Sequence, residues 1–257
     1  MTHTENTSDF FCGRGPEQGV LIALIGADGS GKSTLAEMLA KTIARRRKAQ
    51  NCYLGLGSAD IRDKIADMGA AGKWLASLMV RRADQARDKK QKIPGPMTAI
   101  VMYALSRKRL ARFKAARRLR DEGYAVITDR YPQMEVPGIY DGPLLSAARA
   151  EGFIVSRLAA AERRLYDRMV AARPDLVVKL KIDPETALSR KPDHRRHDIE
   201  IKVAVTEKLT FNDAPMVEVD ASRPLDAVFA EVKRLVSPAV GIPVENMCPG
   251  FVPNLDD

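Results

Sequence analysis

The chain has 257 residues, 45% hydrophobic and 29% charged, with a formal net charge of +9, which suits one substantial α/β core. No run approaches the roughly 18 unbroken apolar residues of a membrane helix, and the polar opening stretch lacks the apolar core of a signal peptide. Three scattered cysteines, Cys12, Cys52 and Cys248, fit neither a disulfide framework nor a zinc site, so a reduced, cytoplasmic protein is expected.

In chain order, "VLIALI" (Val20–Ile25) predicts a strand ending at Gly26, and a helical pattern opens at Ser33. "NCYLGLG" (Asn51–Gly57) predicts a second strand. A polar helical region follows, broken at Pro94–Pro96, and Pro96 can open a helix from Met97 to about Glu122, ended by Gly123. Further strands are expected at Tyr124–Asp129, Asp175–Ile182 and Pro215–Asp220. Helices are expected near Val155–Ala172, Pro184–Arg190, Glu200–Leu209 and Pro224–Leu235. Such alternation predicts an α/β protein with a parallel five-stranded sheet covered by helices on both faces, in three layers. The expected organisation is an N-terminal extension over 1–19, one domain over 20–237, and an irregular tail over 238–257 rich in Pro and Gly.

Much of the positive charge sits in Ala44–Gln50, Arg81–Lys92 and Ser106–Arg120. In the last, Leu110, Phe113 and Leu119 recur at helical spacing between the charges, which reads as a solvated helix face; an anionic partner is the alternative. The aromatics are few and not interleaved with the cations, so nucleic acid as a partner is unsupported.

"GADGSGKST" (Gly26–Thr34) fits G-x-x-x-x-G-K-[ST] and lies between the first strand and the first helix. Glycines let backbone N–H groups turn inward around phosphate oxygens, and the helix N-terminus adds positive potential. This places a P-loop NTPase fold. Gly26, Asp28, Gly29, Ser30, Gly31, Lys32, Ser33 and Thr34 are the expected nucleotide-holding residues, with Lys32 on the β and γ phosphates and the Ser33 hydroxyl on Mg²⁺. Asp28 is unusual inside a polyphosphate loop. It either points across the loop toward a sugar hydroxyl of an acceptor or makes a local turn bond before Gly29.

"VITDRY" (Val126–Tyr131) puts Asp129 and Arg130 at the carboxyl end of a buried strand, the edge that faces the ligand crevice of an open parallel sheet. Asp129 can hold a Mg²⁺-bound water or position the attacking oxygen, and Arg130 can clamp an acceptor phosphate; a structural Asp–Arg pair is the alternative. "RKPDHRRHD" (Arg190–Asp198) suits a lid that brings Arg195 or Arg196 onto the transferring phosphoryl group; a solvated basic loop is the alternative, with His194 and His197 as surface residues. No N-K-x-D guanine signature is present. Together the three clusters point to transfer to an acceptor rather than hydrolysis or switching.

On these residues the sequence resembles the thymidylate kinases, a branch of the P-loop nucleoside monophosphate kinases. "GADGSGKSTL" resembles their phosphate loop, including an acidic residue at Asp28, and "ITDRY" their D-R-Y strand end. "YALSRKR" resembles a helix segment whose aromatic ring stacks on the base and whose arginine reads it, which assigns those roles to Tyr103 and Arg107. "RPDLVVKLKIDPETALSRK" is similar to their fourth-strand region, with Arg190 as the arginine before the lid, and "RHDIE" to the lid's exit. The resemblance spans Leu21 to about Val236. It implies ATP and Mg²⁺, a small-molecule acceptor with dTMP as the default, and a possible homodimer. Two acceptor-side segments depart from it: "YLGLGSADIRDK" after the second strand and "PQMEVPGIYDGPLL" after D-R-Y. A kinase of another small metabolite, such as a sugar or sugar phosphate, and a nucleotide-dependent regulatory or binding module are therefore the alternatives.

Overall fold

The unbroken apolar run after Gly19 becomes β1 (Val20–Gly26), with all seven residues buried, as a strand covered on both faces requires. A computed structural model describes residues 11, 15, 17–55, 96–147 and 150–247. After β1 come α1 (Lys32–Ala44), β2 (Ala49–Tyr53), α2 (Pro96–Asp121), β3 (Ala125–Asp129) and α3 (Phe153–Val170). The chain continues through β4 (Leu176–Lys181), α4 (Pro184–Arg190), α5 (Arg196–Lys208), β5 (Met216–Asp220) and α6 (Leu225–Val240) to a 3₁₀ turn at Val244–Asn246. The sheet is wholly parallel in the order β2-β3-β1-β4-β5. This is the three-layer α/β architecture of a P-loop NTPase.

Residues alternate across the sheet as a pleat demands. Val20, Ile22 and Leu24 of β1 join Ile127, Val178 and Val219 in a core with Leu35, Leu39 and Ile43 of α1 and Val232 and Val236 of α6. Phe11 is buried in the same core. On the other face lies α5, where the Glu207 carbonyl accepts from the buried Lys179 ammonium at 3.3 Å. No helix among the described residues is long and apolar enough to cross a membrane.

The chain divides into two compact units, one of residues 1–53, 115–131 and 173–257, the other of 54–114 and 132–172. No linker signals the division in the sequence because the chain crosses it four times, once inside α2. In the second unit Ala99 and Met102 of α2 pack with Leu145 and with Val155 and Ala159 of α3.

Most element ends fall within two residues of those expected. Three differ for physical reasons. The second strand is Ala49–Tyr53 rather than Asn51–Gly57, because its pairing with β3 starts at Ala49↔Ala125. Helix α5 opens at Arg196, four residues before Glu200, so the connection to α4 shortens to 191–195. Helix α6 continues past Leu235 and through Pro238 to Val240, where Gly241 adopts the left-handed cap. A proline inside a helix removes one hydrogen bond. Burial of Ala239, Val240, Ile242 and Met247 in the main core offsets that loss, so the irregular tail does not begin at Pro238.

The basic stretches are also not simply solvated. Arg47 donates to the carbonyls of Val240 (2.8 Å), Gln18 (2.7 Å) and Gly123 (2.9 Å). Arg120 grips both oxygens of Asp175, whose Oδ2 also accepts from the Leu21 amide at 2.8 Å. Five fixed donors make a guanidinium suited to such stapling. Arg107, Lys108, Lys114 and Arg118 are exposed, as a solvated face requires. The Arg81–Lys92 stretch, Cys12 and Cys248 lie outside the described residues.

Candidate phosphate-binding site

Strand β1 sits between β3 and β4 at the point where strand order reverses, so the loop after it opens at the ligand-binding edge of the sheet. Gly29 and Gly31 have φ of 87° and 78°, a region that other residues enter only with strain. At Gly29 a Cβ would also stand 2.7 Å from the Ala187 carbonyl of α4, so α4 packs directly against the loop. Gly31 is the N-cap of α1. Lys32 is buried, with its ammonium 3.2 Å from the Ala27 carbonyl and 3.4 Å from Asp28 Oδ1.

The Ser33 hydroxyl donates to Asp129 Oδ2 at 2.5 Å across 96 positions of chain. Register explains the meeting, since Asp129 pairs with Leu24, two residues before the loop. Asp129 is buried, and its Oδ1 has no hydrogen-bond partner. Such an oxygen beside a serine hydroxyl fits Mg²⁺, which takes one or two protein ligands and keeps several waters. Ser30 Oγ is likewise buried without a partner, and Thr34 is exposed on the first turn of α1.

Asp28 is the hub of the charge distribution. Lys202 of α5 donates to its Oδ2 in a short hydrogen bond. Arg130 Nη2 lies 3.6 Å from Oδ1, and His194 Nε2 3.6 Å from Oδ2. Burial by itself would raise the Asp28 pKa; Lys32, Lys202 and Arg130 overcome it and hold the carboxyl well below the usual carboxylate range. The carboxylate thus faces cations. Arg130 reaches it from a backbone φ of 73°, a conformation that costs a non-glycine residue of order 1–3 kcal/mol. Its amide still donates to the Leu24 carbonyl at 3.2 Å, extending the strand pairing by one residue.

The segment Arg190–Asp198 contributes differently from its arginine count. His194, expected on the surface, is half-buried against Asp28. Arg195 is exposed at the N-cap of α5. Arg196 is the first residue of α5 and pairs with Glu185 at 3.0 Å and Glu200 at 3.8 Å. Arg190 donates to the carbonyls of Gly29 (3.3 Å), Ala221 (2.8 Å), Ser222 (3.0 Å) and Arg223 (3.4 Å), joining the loop to the start of α6.

Tyr103 and Arg107 belong to the second unit, four residues apart on α2 and so on one face. Tyr103 packs against the Met102–Leu145 cluster, and Arg107 is exposed. The same unit holds a buried polar network. Arg109 donates to the Leu54 carbonyl (2.7 Å), the Asp141 carbonyl (2.7 Å), the Tyr166 hydroxyl (2.8 Å) and, in a short bond, to Asp141 Oδ1. Glu162 accepts from Ser106 Oγ at 2.8 Å and from the Ser146 amide at 2.9 Å. The Gln133 amide organises the loop after β3, with Nε2 on the Val136, Ile139 and Tyr140 carbonyls and Oε1 on the Val136 amide. Arg109 thus bonds to one residue of each segment that departs from the thymidylate kinase pattern, Leu54 and Asp141.

The chain is 38% identical to the uncharacterized ATP-binding protein YghR of Escherichia coli (strain K12) over 218 residues, 84% of this chain and 86% of that one. It is 37% identical to YghS, described in the same words and from the same strain, over 221 residues, 86% and 93% of the two chains. The chain belongs to the family of YghR and YghS. A thymidylate kinase of Clostridium novyi (strain NT) is 25% identical over 228 residues, 84% of this chain and 97% of that enzyme. Among solved structures, a deoxyadenosine kinase from M. mycoides with bound dCTP matches at 14% identity and a TM-score of 0.46, covering 84% and 98% of the two chains. The same enzyme with its products matches at 0.49. No family model matches the chain.

Two residues of the loop's surroundings escape a reading by motif: Lys202 and His194. Lys202 carries a weak signal, since it follows Ile199 by three positions and precedes Val203 by one, and both pack toward Ala27 beneath the loop.

Proposed function

We propose that this protein is an ATP- and Mg²⁺-dependent phosphotransferase acting on a small-molecule phosphate acceptor, a nucleoside monophosphate with dTMP as the default. The observation that carries the reading is the Ser33–Asp129 pair beside Lys32, with an unpartnered buried oxygen on Asp129. The names of YghR and YghS support ATP as the nucleotide, and the Clostridium novyi enzyme supports a monophosphate acceptor.

Transfer joins an acceptor phosphate oxygen to the γ-phosphorus and breaks the bond to the β–γ bridging oxygen, releasing ADP. In this reading the loop amides and Lys32 hold the β and γ phosphates, and Arg130 draws the acceptor phosphate into line. Arg195 supplies positive charge to the transferring group from the lid, Arg196 would join it only on leaving Glu185 and Glu200, and Arg190 closes the nucleotide side of the loop. Mg²⁺, held by Ser33 and Asp129, would supply further positive charge to the phosphate oxygens. Tyr103 and Arg107 would stack on and read an acceptor base.

The deciding experiment is ADP formation with ATP and Mg²⁺ across dTMP, other nucleoside monophosphates and sugar phosphates. Greatest stimulation by dTMP is the expected result. Preference for a sugar phosphate would reassign the acceptor. ATP binding without stimulation by any acceptor would replace transfer by a regulatory module. A second expectation concerns the metal. Asp129→Asn is expected to raise the Mg²⁺ concentration for half-maximal rate by about 10- to 100-fold, with a matching weakening of Mg²⁺-dependent thermal stabilisation. An unchanged Mg²⁺ requirement would remove Asp129 from that role.

A further inference from the structure

Asp28 draws together more positive charge than it neutralises. Lys32, Lys202 and Arg130 are permanent cations around one carboxylate, and His194 stands beside them. Two of the four come from the lid region, 174 positions along the chain in the case of Lys202. Their approach is built into the packing. Ile199 and Val203 of α5, one turn apart, share a small apolar cluster with Ala27 of the loop and with Ile182 and Ala187. That contact fixes the rotation of α5, so Lys202, on the edge of the same face, reaches over the loop. Its side chain is 25% exposed. An ammonium has three donors, and Asp28 occupies one of them.

We propose that Lys202 is a further phosphate-contacting residue of this site, aimed at the polyphosphate by the Asp28 carboxylate. The ligand class is a nucleoside polyphosphate or the polyphosphate chain itself, and the inference rests on the reading above that the loop binds ATP. Asp28 then acts as an anchor inside a cationic site. It holds the lysine of α5 beside Lys32, and the surplus positive charge is left for the phosphates. One point charge on a flexible stem, fixed by a carboxylate, suits a terminal phosphoryl oxygen better than a base or a sugar.

The test compares dissociation constants of wild type, Lys32→Ala, Lys202→Met, Lys202→Arg and Lys208→Met for ATP, inorganic tripolyphosphate and dTMP by calorimetry. Lys208 ends the same helix and is exposed, so it controls for loss of one charge from α5. Lys202→Met is expected to weaken ATP and tripolyphosphate about 10- to 100-fold, the range for a charged hydrogen bond. Lys202→Arg should recover much of this, and Lys208→Met should change it less than twofold. A loss confined to dTMP would move Lys202 to the acceptor and overturn the proposal, as would unchanged tripolyphosphate affinity in a folded Lys202→Met protein. Adding Asp28→Asn to Lys202→Met should change affinity by a different factor from Asp28→Asn alone; equal factors would overturn the aiming role. If wild type binds neither ATP nor tripolyphosphate, the ATP reading falls and this inference with it. If wild type binds and only Lys32→Ala loses binding, this inference alone fails.

Discussion

Lys32→Ala is expected to lower the rate of phosphoryl transfer by about 10³-fold while leaving the fold in place. Removing one preorganised donor from a developing charge costs about 10²–10³ in rate, and an ammonium buried beside the loop is screened by little solvent. The fold is spared because Asp28 keeps Lys202 and Arg130 as partners when Lys32 is gone. No buried carboxylate is orphaned, and the Ala27 carbonyl loses a single donor at 3.2 Å. The measurement is ADP formation at saturating acceptor, with thermal melts of both proteins alongside. A variant keeping more than a tenth of the rate would mean that the phosphates are held elsewhere.

The largest expected effect on stability belongs to Arg109→Met. The guanidinium and its partner carboxylate are 0% and 5% exposed. Burial works against the charged guanidinium, and Asp141 and Tyr166 more than restore it. Taking the arginine away removes the guanidinium from beside the buried Asp141 carboxylate, and strips donors from the Leu54 carbonyl and the Tyr166 hydroxyl. Breaking such a pair from one side costs about 3–5 kcal/mol, a fall in melting temperature on the order of 10 °C for a protein of this size. Methionine fills a similar volume, so the loss reports the polar groups rather than a cavity. Adding Asp141→Asn should recover part of it, because no carboxylate is then buried without the guanidinium. Denaturant melts of the two single variants and the double variant check this; additive losses would show that the pair is not the source.

How the site was legible follows from which interactions are local. The loop from Gly26 to Thr34 could be read because its conformation is local, and glycine accepts without strain the angles found at positions 29 and 31. Asp129 could be read because it ends a buried apolar run and the ends of parallel strands form the crevice. Lys202 could not, since it looks like any helix-surface lysine until Ile199 and Val203 set α5 against Ala27. Arg196 shows the reverse: its place in a basic run suggests the reacting centre, yet Glu185 and Glu200 engage it on the first turn of α5.

The sequence by itself determined the strand and helix order, the parallel sheet and the phosphate loop, because apolar runs, glycine positions and strand–helix alternation act over a few residues. Only the tertiary structure decided what each charge does. Arg47, Arg109 and Arg120 staple carbonyls and carboxylates, Arg107 meets solvent, and Asp28 collects cations from three parts of the chain. A charged side chain's role depends on burial and on partners far along the chain, 193 positions away for Arg47 and Val240. Those partners are brought within reach by packing, which no local pattern of residues encodes.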